Sequence, residues 1–210
     1  MSSRLLVGSL LVVLTAATPA WAAAPSLGQI ALRPAQVGPG YRMSVIPDGA
    51  KVHGEVTLDL CGFSFPSEGL RTARLQLRYG KAGQLLQVSN EVVRYRHGGA
   101  QQALREITRA ASRCPRGPVG SSVAGVKQIT YRLARLTDRR LLPGYLALRV
   151  HYEAVGAVRG QTLKGTAIIV YQARGDVLSG VYTAGTGLAA QLRVGLHAAE
   201  QSALNLERLA

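Results

Sequence analysis

Residues 85–115 have the sequence LLQVSNEVVRYRHGGAQQALREITRAASRCP, in which the spacing of apolar residues changes once, at Gly98 and Gly99. Before the glycine pair, residues 85–96 are rich in apolar and β-branched side chains, which predicts a strand. After the pair, one helical face repeats at the i, i+3, i+4 and i+7 spacing and comprises Ala100, Ala103, Leu104, Ile107, Ala110, Ala111 and Cys114. Pro115 cannot continue a helix, so the pattern predicts a helix that ends at Cys114.

Two more strands are predicted upstream of this segment. Residues 72–79 alternate between apolar and polar side chains, and the turn at 80–83 would return the chain as a hairpin with residues 85–96. Residues 52–60 alternate in the same way, which predicts a half-buried strand that ends at Cys61. Residues 23–50 contain many prolines and glycines and are predicted to be irregular, apart from a short helical turn at 33–37.

The remainder of the chain predicts four strands and a helix. The strands are expected at 126–136, 145–155, 163–173 and 177–184, with the turn Arg174-Gly175-Asp176 between the last two. The helix is expected at 186–209, with Thr186 as its N-cap. The predicted fold class is therefore α+β, a mostly antiparallel sheet of about six to seven strands with two main helices packed on one face. Residues 51–210 are expected to form a single domain, since no linker or repeat divides them.

Residues 1–22 have the features of an export signal peptide. Arg4 precedes an apolar run at 5–17, and Ala20-Trp21-Ala22 carries small residues where cleavage occurs. No later apolar stretch approaches the length of a membrane-spanning helix, so no transmembrane anchor is expected. We therefore expect a secreted or extracytoplasmic protein. In such a compartment Cys61 and Cys114 predict one disulfide, with two buried free thiols as the alternative.

The chain is strongly basic, with a formal net charge of +14, and 21 of its 25 basic residues are arginine. This charge favours attraction to an anionic envelope component such as an acidic lipid or wall polymer. Nucleic acid is not the expected partner, because the protein is exported and has few aromatic side chains on which bases could stack. Five arginines fall on the polar side of predicted strands and form a candidate basic face, namely Arg74, Arg78, Arg94, Arg132 and Arg149.

Two glutamates are the strongest candidates for chemistry. Glu68 follows Pro66-Ser67 in a predicted loop, and Glu91 lies within a predicted strand, between Asn90 and Val92. If both faced one cleft, they would suit acid–base catalysis of hydrolysis. The alternative is that each forms an ion pair and orders the structure, with Arg71, Arg74 and Arg94 as the available partners.

Other chemistries lack a motif. The four histidines are isolated and do not form a metal-binding spacing, and we expect no metal and no cofactor. The stretch 120–124 resembles a nucleophile elbow only loosely, because it lacks the GxSxG pattern. Gly98-Gly99 at a helix start is compatible with anion binding, but a turn with room for the backbone is the simpler interpretation.

A set of short motifs carries a family resemblance. The motifs are Leu58-Asp59-Leu60-Cys61-Gly62, Pro66-Ser67-Glu68, Arg71, Ala73-Arg74, Ser89-Asn90-Glu91-Val92-Val93-Arg94-Tyr95, Gly98-Gly99-Ala100 and Cys114-Pro115. Over residues 27–184 the chain resembles small exported actinobacterial proteins of largely unknown function. These are similar in turn to the extracytoplasmic sensor-like domains of some mycobacterial serine/threonine kinases. The resemblance implies an α+β domain with a ligand-binding cleft and with Cys61 and Cys114 bonded to each other.

The residues and the resemblance together favour a secreted, non-catalytic binding or sensor-like domain for an unidentified envelope ligand. An envelope hydrolase that uses the carboxylate pair is one alternative, and a cell-wall interaction protein held by charge is another. The kinase-linked domains carry a second disulfide and are attached to a kinase, whereas this sequence has two cysteines and no kinase motif. A signalling role therefore does not follow from the resemblance.

Overall fold

The structure, a computed structural model, describes residues 25–121, 125–158, 161–185 and 187–209. Its helices are α1 (Leu27–Ile30), α2 (Pro34–Val37), α3 (Gly99–Ser112) and α4 (Leu188–Glu207). Its strands are β1 (Arg42–Val45), β2 (Arg71–Gly80), β3 (Gln87–Tyr95), β4 (Val119–Gly120), β5 (Gln128–Leu136), β6 (Leu146–Val158), β7 (Gln161–Arg174) and β8 (Val177–Ala184). A 3₁₀ turn, Pro66–Leu70, precedes β2. The expected export signal at 1–22, the expected N-cap Thr186 and residues 122–124 of the serine motif lie outside the described residues.

The described strands form one antiparallel sheet in the order β1-β2-β3-β8-β7-β6-β5-β4. The N-terminal hairpin β2–β3 and the C-terminal meander meet where β3 pairs with β8, with Glu91 opposite Gly180. The sheet has eight strands, more than the six to seven expected. The strands that the sequence pattern missed are β1 and β4, which lie at the two edges of the sheet in segments rich in proline and glycine.

The two long helices lie on opposite faces of the sheet, so the prediction that both pack on one face is wrong. Val92 contacts the core under α4, and its neighbour Val93 contacts the core under α3. In β8, Val177 likewise lies in the core under α4, and Leu178 lies in the core under α3. Central strands that are buried on both sides need a layer of structure on each face, because one helix layer would leave half of these side chains in water.

The N-terminal segment helps α4 to cover its face of the sheet. Leu27, Ile30 and Leu32 are buried in the α4-side core. The Leu32 amide donates to Asn90 Oδ1 at 3.0 Å, and the Tyr79 hydroxyl donates to the Leu32 carbonyl. Residues 25–50, expected to be mostly irregular, therefore contain α1, α2 and β1 and contribute to the core, and the helical turn expected at 33–37 is present as α2.

The prediction of a strand at residues 52–60 is wrong. This segment has no ladder partner and bends across the α3 face of the sheet between β1 and the 3₁₀ turn. Its alternating apolar residues are not all buried, since Val56 is 45% exposed whereas Leu58 and Leu60 are in the core. The physical reason is that side chains from β2 and the 3₁₀ turn, Arg71 and Glu68, satisfy its backbone groups in place of a neighbouring strand.

The disulfide between Cys61 and Cys114 is present, with the two Cα atoms 5.2 Å apart, which confirms that prediction. The bond joins the end of the 52–60 segment to Cys114, which directly follows Arg113, the C-cap of α3. Cys61 is buried and adopts a left-handed backbone conformation with φ of 60°. Within the described residues, no helix is long and apolar enough to span a membrane.

We expect Gly99→Ala to destabilise the protein by about 1–3 kcal/mol, because it overpacks a close contact. A Cβ at Gly99 would lie 2.8 Å from Tyr95 Cβ and 3.2 Å from Leu70 Cβ, so α3 would have to move away from β3. Gly99 therefore serves packing at the start of α3. Urea denaturation measures the loss, with Gly117→Ala as the control, because a Cβ there meets nothing within 4 Å. Equal stability of the two variants would contradict this explanation.

Candidate ligand-binding site

Arg74 of β2 and Glu91 of β3 form a buried ion pair on the α3 face of the sheet. Their side chains are 3% and 2% exposed, and Arg74 Nε donates to Glu91 Oε1. Thr57 Oγ1 donates to the same carboxylate oxygen at 3.0 Å, and the Tyr182 hydroxyl donates to Oε2 at 3.3 Å. Burial raises the pKa of Glu91, and the Arg74 guanidinium opposes that rise.

Gly180 gives Tyr182 the room to reach Glu91. A Cβ at Gly180 would lie 2.5 Å from the Tyr182 hydroxyl oxygen, so the tyrosine occupies the space that a side chain would take. The Tyr182 ring also contacts Tyr171 edge to face, with the ring centroids 5.7 Å apart. Gly180 therefore allows the Tyr182 hydroxyl to reach the carboxylate of Glu91 in the ion pair.

Glu68 and Arg71 form a second ion pair that holds the 55–58 segment in place. Glu68 accepts the Thr57 amide at 2.9 Å and the Leu58 amide at 3.3 Å, and its Oε2 lies 3.3 Å from Arg71 Nη2. Arg71 in turn donates to the Glu55 carbonyl at 2.7 Å and to Thr57 Oγ1 at 2.9 Å. These bonds replace the strand ladder that was expected for residues 52–60, and Thr57 connects the two ion pairs.

Glu68 is only partly buried and borders open space. Its side chain is 20% exposed. Burial raises the pKa of Glu68, whereas the Thr57 amide and the Arg71 guanidinium lower it. Both carboxylate oxygens therefore hold protein groups, while part of the side chain remains open to solvent.

A cavity of about 540 Å³ lies directly beside Glu68 and Arg71. The 54–59 segment contributes Glu55, Val56 and Asp59 to its wall, and the loop after Cys61 contributes Phe63. Val56 and Phe63 are 45% and 40% exposed, so apolar surface is available at its opening. A volume of this size accommodates a small organic molecule.

The cavity wall is acidic in a protein that is otherwise strongly basic. Glu55, Asp59 and Glu68 line it, and Arg71 is the cation among its lining residues. Asp59 accepts a hydrogen bond from Ser121 Oγ at 3.3 Å. Glu55 makes no ion pair with any described residue. Three of the 11 acidic residues of the chain therefore meet at one cavity.

The other arginines of the candidate basic face do not lie together. Arg78 is exposed on the α3 face, in register with Ser89. Arg149 lies on the opposite face, beside Ile168, whereas Arg132 of β5, beside His151, lines a cavity at the end of α3. Arg94 is 3.3 Å from Asp176 and donates to the Pro25 carbonyl at 2.8 Å.

Glu68 and Arg71 were named from the sequence as candidate ligand or ion-pair residues, whereas most of the cavity around them was not predicted. The signal was present in the clustering of Glu55, Asp59 and Glu68 with Phe63 and Phe65 in a short stretch. No group of three or more histidine, cysteine or carboxylate side chains suited to a metal ion occurs among the described residues.

Comparison with known proteins identifies a structural relative. The chain is similar to the crystal structure of the extracellular domain of PknH from Mycobacterium tuberculosis, with a TM-score of 0.54 and 12% sequence identity. The match covers 83% of this chain and 93% of the other. No family model matches the sequence, and no curated protein matches it. The predicted resemblance to the extracytoplasmic sensor-like domain of mycobacterial serine/threonine kinases is therefore confirmed at the level of the fold.

Proposed function

We propose that this chain is an extracytoplasmic, non-catalytic binding domain of the sensor-like type, and that its ligand occupies the cavity beside Glu68 and Arg71. The observation that carries the proposal is the wall of that cavity, where carboxylates and exposed apolar side chains surround about 540 Å³. Such a wall suits a small molecule that presents a cationic amine together with an apolar portion.

The charge of the whole protein makes this cavity selective. A net charge of +14 repels cations from most of the surface. The acidic wall opposes that repulsion locally, because three carboxylates line it and Glu55 makes no ion pair with any described residue. A cation that binds this protein should therefore bind at the cavity.

The geometry of the two glutamates favours binding over hydrolysis. Glycoside hydrolysis by a carboxylate pair needs both carboxyl groups to reach the substrate. Glu91 is 2% exposed and is hydrogen-bonded to Arg74, Thr57 and Tyr182, so a substrate in the cavity does not reach it. Glu68 is the one of the pair that lines the cavity.

An extracytoplasmic location is supported by the disulfide and by the signal-like pattern at 1–22. Disulfides persist in oxidising compartments and are rare in the reducing cytosol. The fold shared with a bacterial extracellular domain agrees with this location.

Spermidine, a flexible amine with apolar methylene groups, is a suitable probe of the cavity. We expect it to raise the melting temperature of the wild-type protein by about 5–10 °C at a concentration of 100 times its Kd. We expect Ser64→Trp to abolish the shift, because Ser64 lines the cavity and an indole ring would fill it.

The matched control is Ser44→Trp, which places the same ring on an exposed site in β1 outside the cavity. It should keep the full shift. The proposal fails if Ser64→Trp responds to spermidine as strongly as wild type, or if neither wild type nor the control responds to any amine in a panel of small cationic amines.

A further inference from the structure

Three arginines form a stripe along the outer surface of α3. Arg105, Arg109 and Arg113 are spaced four residues apart, so they lie on one side of the helix at intervals of about 6 Å. All three are exposed, and none makes an ion pair with any described residue. The one acidic residue of α3, Glu106, is turned away and accepts hydrogen bonds from Ser67.

This stripe borders two adjoining basic cavities. One cavity of about 590 Å³ lies along α3 and is lined by all three arginines and by Gly144. A second cavity of about 480 Å³ shares Ser112 with the first and adds Arg116 and Arg132. No acidic side chain lines either cavity. Five arginines therefore line these two adjoining cavities, here called the groove, and no carboxylate in the groove wall neutralises them.

The end of the helix explains part of this arrangement. Cations near a helix C-terminus are favourable because they interact with its unpaired carbonyl groups and its dipole. That effect falls off within the last turn, so it accounts for Arg109 and Arg113 and does not account for Arg105. It also does not account for Arg116, which lies outside the helix.

We propose that this groove binds a linear phosphate-bearing polymer that runs along α3. From Gln101 to Ser112 the groove follows the helix for about 17 Å, which is long enough for several successive phosphate groups. Guanidinium groups bind phosphate oxygens through paired N–H donors, and a row of them matches a row of anions. The site is separate from the acidic cavity, so the proposal does not rest on the proposed function.

A polymer fits the groove better than a membrane surface does. Binding to a lipid surface uses exposed apolar side chains that insert beside the basic ones. The large hydrophobic residues that are exposed in the structure lie elsewhere, and they are Met43, Val45, Val56, Phe63, Leu85, Val155, Leu163 and Leu204. The groove instead offers arginines around a concave surface.

The test is binding of inorganic polyphosphate to the folded protein by fluorescence anisotropy at several salt concentrations. The variant is R105Q/R109Q/R113Q, which removes three charges without touching the core. We expect its affinity to be at least about tenfold lower, and the slope of log K against log salt to decrease by about 2 to 3. Melting temperatures verify that the variant is folded.

The matched control is R33Q/R42Q/R208Q, which also removes three exposed arginines that make no ion pair with a described residue, none of them lining the groove. Its affinity for polyphosphate should stay within about twofold of the wild-type affinity, and this result would support binding in the groove. Equal losses in both variants would mean that net charge alone governs binding and would overturn the proposal. Equally tight binding of polygalacturonate or of phosphatidylglycerol vesicles would overturn the assignment to a phosphate polymer.

Discussion

Glu91→Gln is expected to lower the free energy of unfolding by about 3–5 kcal/mol, because it removes one partner of a buried ion pair. Glutamine has almost the same shape, so the packing around it is retained. The loss arises because Arg74, whose side chain is 3% exposed, would keep its charge in the core without a counterion. The remaining acceptors of Arg74, the Asp48 carbonyl at 3.2 Å and Gln76 Oε1 at 2.9 Å, are neutral and compensate only in part.

Removing the other partner should give a loss that depends on pH. In Arg74→Met the buried carboxyl of Glu91 can accept a proton, and burial already raises its pKa in the wild-type protein. A folded pKa above the unfolded value of about 4.3 means that the folded state binds the proton more tightly. The variant should therefore be least destabilised below pH 4 and should lose stability as the pH rises towards 7. Glu91→Gln has no such proton to bind at this site.

Urea denaturation of both variants at pH 4 and pH 7 measures these effects. Replacing both partners, as in R74M/E91L, should recover more than half of the loss, because no unpaired charge remains in the core. Glu207→Gln is the control, since Glu207 is exposed and makes no ion pair with a described residue. A loss below about 1 kcal/mol in Glu91→Gln would show that the pair is dispensable.

Local periodicity predicted the elements in which one pattern dominates. The change of period at Gly98 located α3 and the strand before it, and β5 to β8 lie within a few residues of the predicted strands. The expected hairpin is also present as β2–β3. These elements follow from sequence because each is decided by the side chains of its own residues.

The segment 52–60 alternates like a strand and is not one, because its hydrogen-bond partners come from elsewhere in the chain. Glu68 and Arg71 satisfy the backbone at Glu55, Thr57 and Leu58. Alternation reports which side chains are apolar and does not report whether a neighbouring strand is available. The acidic cavity was missed for the same reason, since it exists only because this segment bends over the sheet.

The placement of the two helices on opposite faces could have been predicted from adjacent apolar residues, a feature that a search for alternating residues overlooks. Pairs of adjacent apolar residues, Val92-Val93 and Val177-Leu178, occur in central strands. Such pairs indicate strands that are buried on both faces and that need a layer on each side. The two glutamates and the arginines near them were named from the sequence as candidates for either acid–base chemistry or ion pairs, and the structure shows the ion pairs.

Replacing both cysteines, as in C61S/C114S, is expected to cost about 4 kcal/mol of stability. The bond closes a loop whose ends are 53 residues apart, and the loss of that closure increases the entropy of the unfolded chain. Wild-type protein in a reducing agent should fall to the stability of the double variant, and the double variant should not respond to the reducing agent. Urea denaturation with and without dithiothreitol measures both effects. Equal stability of all four samples would contradict this prediction.

The same bond should affect binding, because each of its ends lies at a proposed site. Cys61 immediately precedes Gly62 and Phe63 in the wall of the acidic cavity, and Cys114 lines the second basic cavity at the end of α3. Without the bond, the loop after Cys61 keeps the hydrogen bond from the Phe63 amide to the Leu60 carbonyl and the burial of Phe65, whereas the hydrogen bonds of Glu68 and Arg71 hold residues 55–58, before the loop. We therefore expect C61S/C114S, in conditions where it remains folded, to weaken spermidine binding more than polyphosphate binding. The reason is that α3 keeps its packing on β3, β7 and β8, whereas the cavity loop loses its covalent attachment. Equal loss at both sites would instead show that the bond acts only through overall stability.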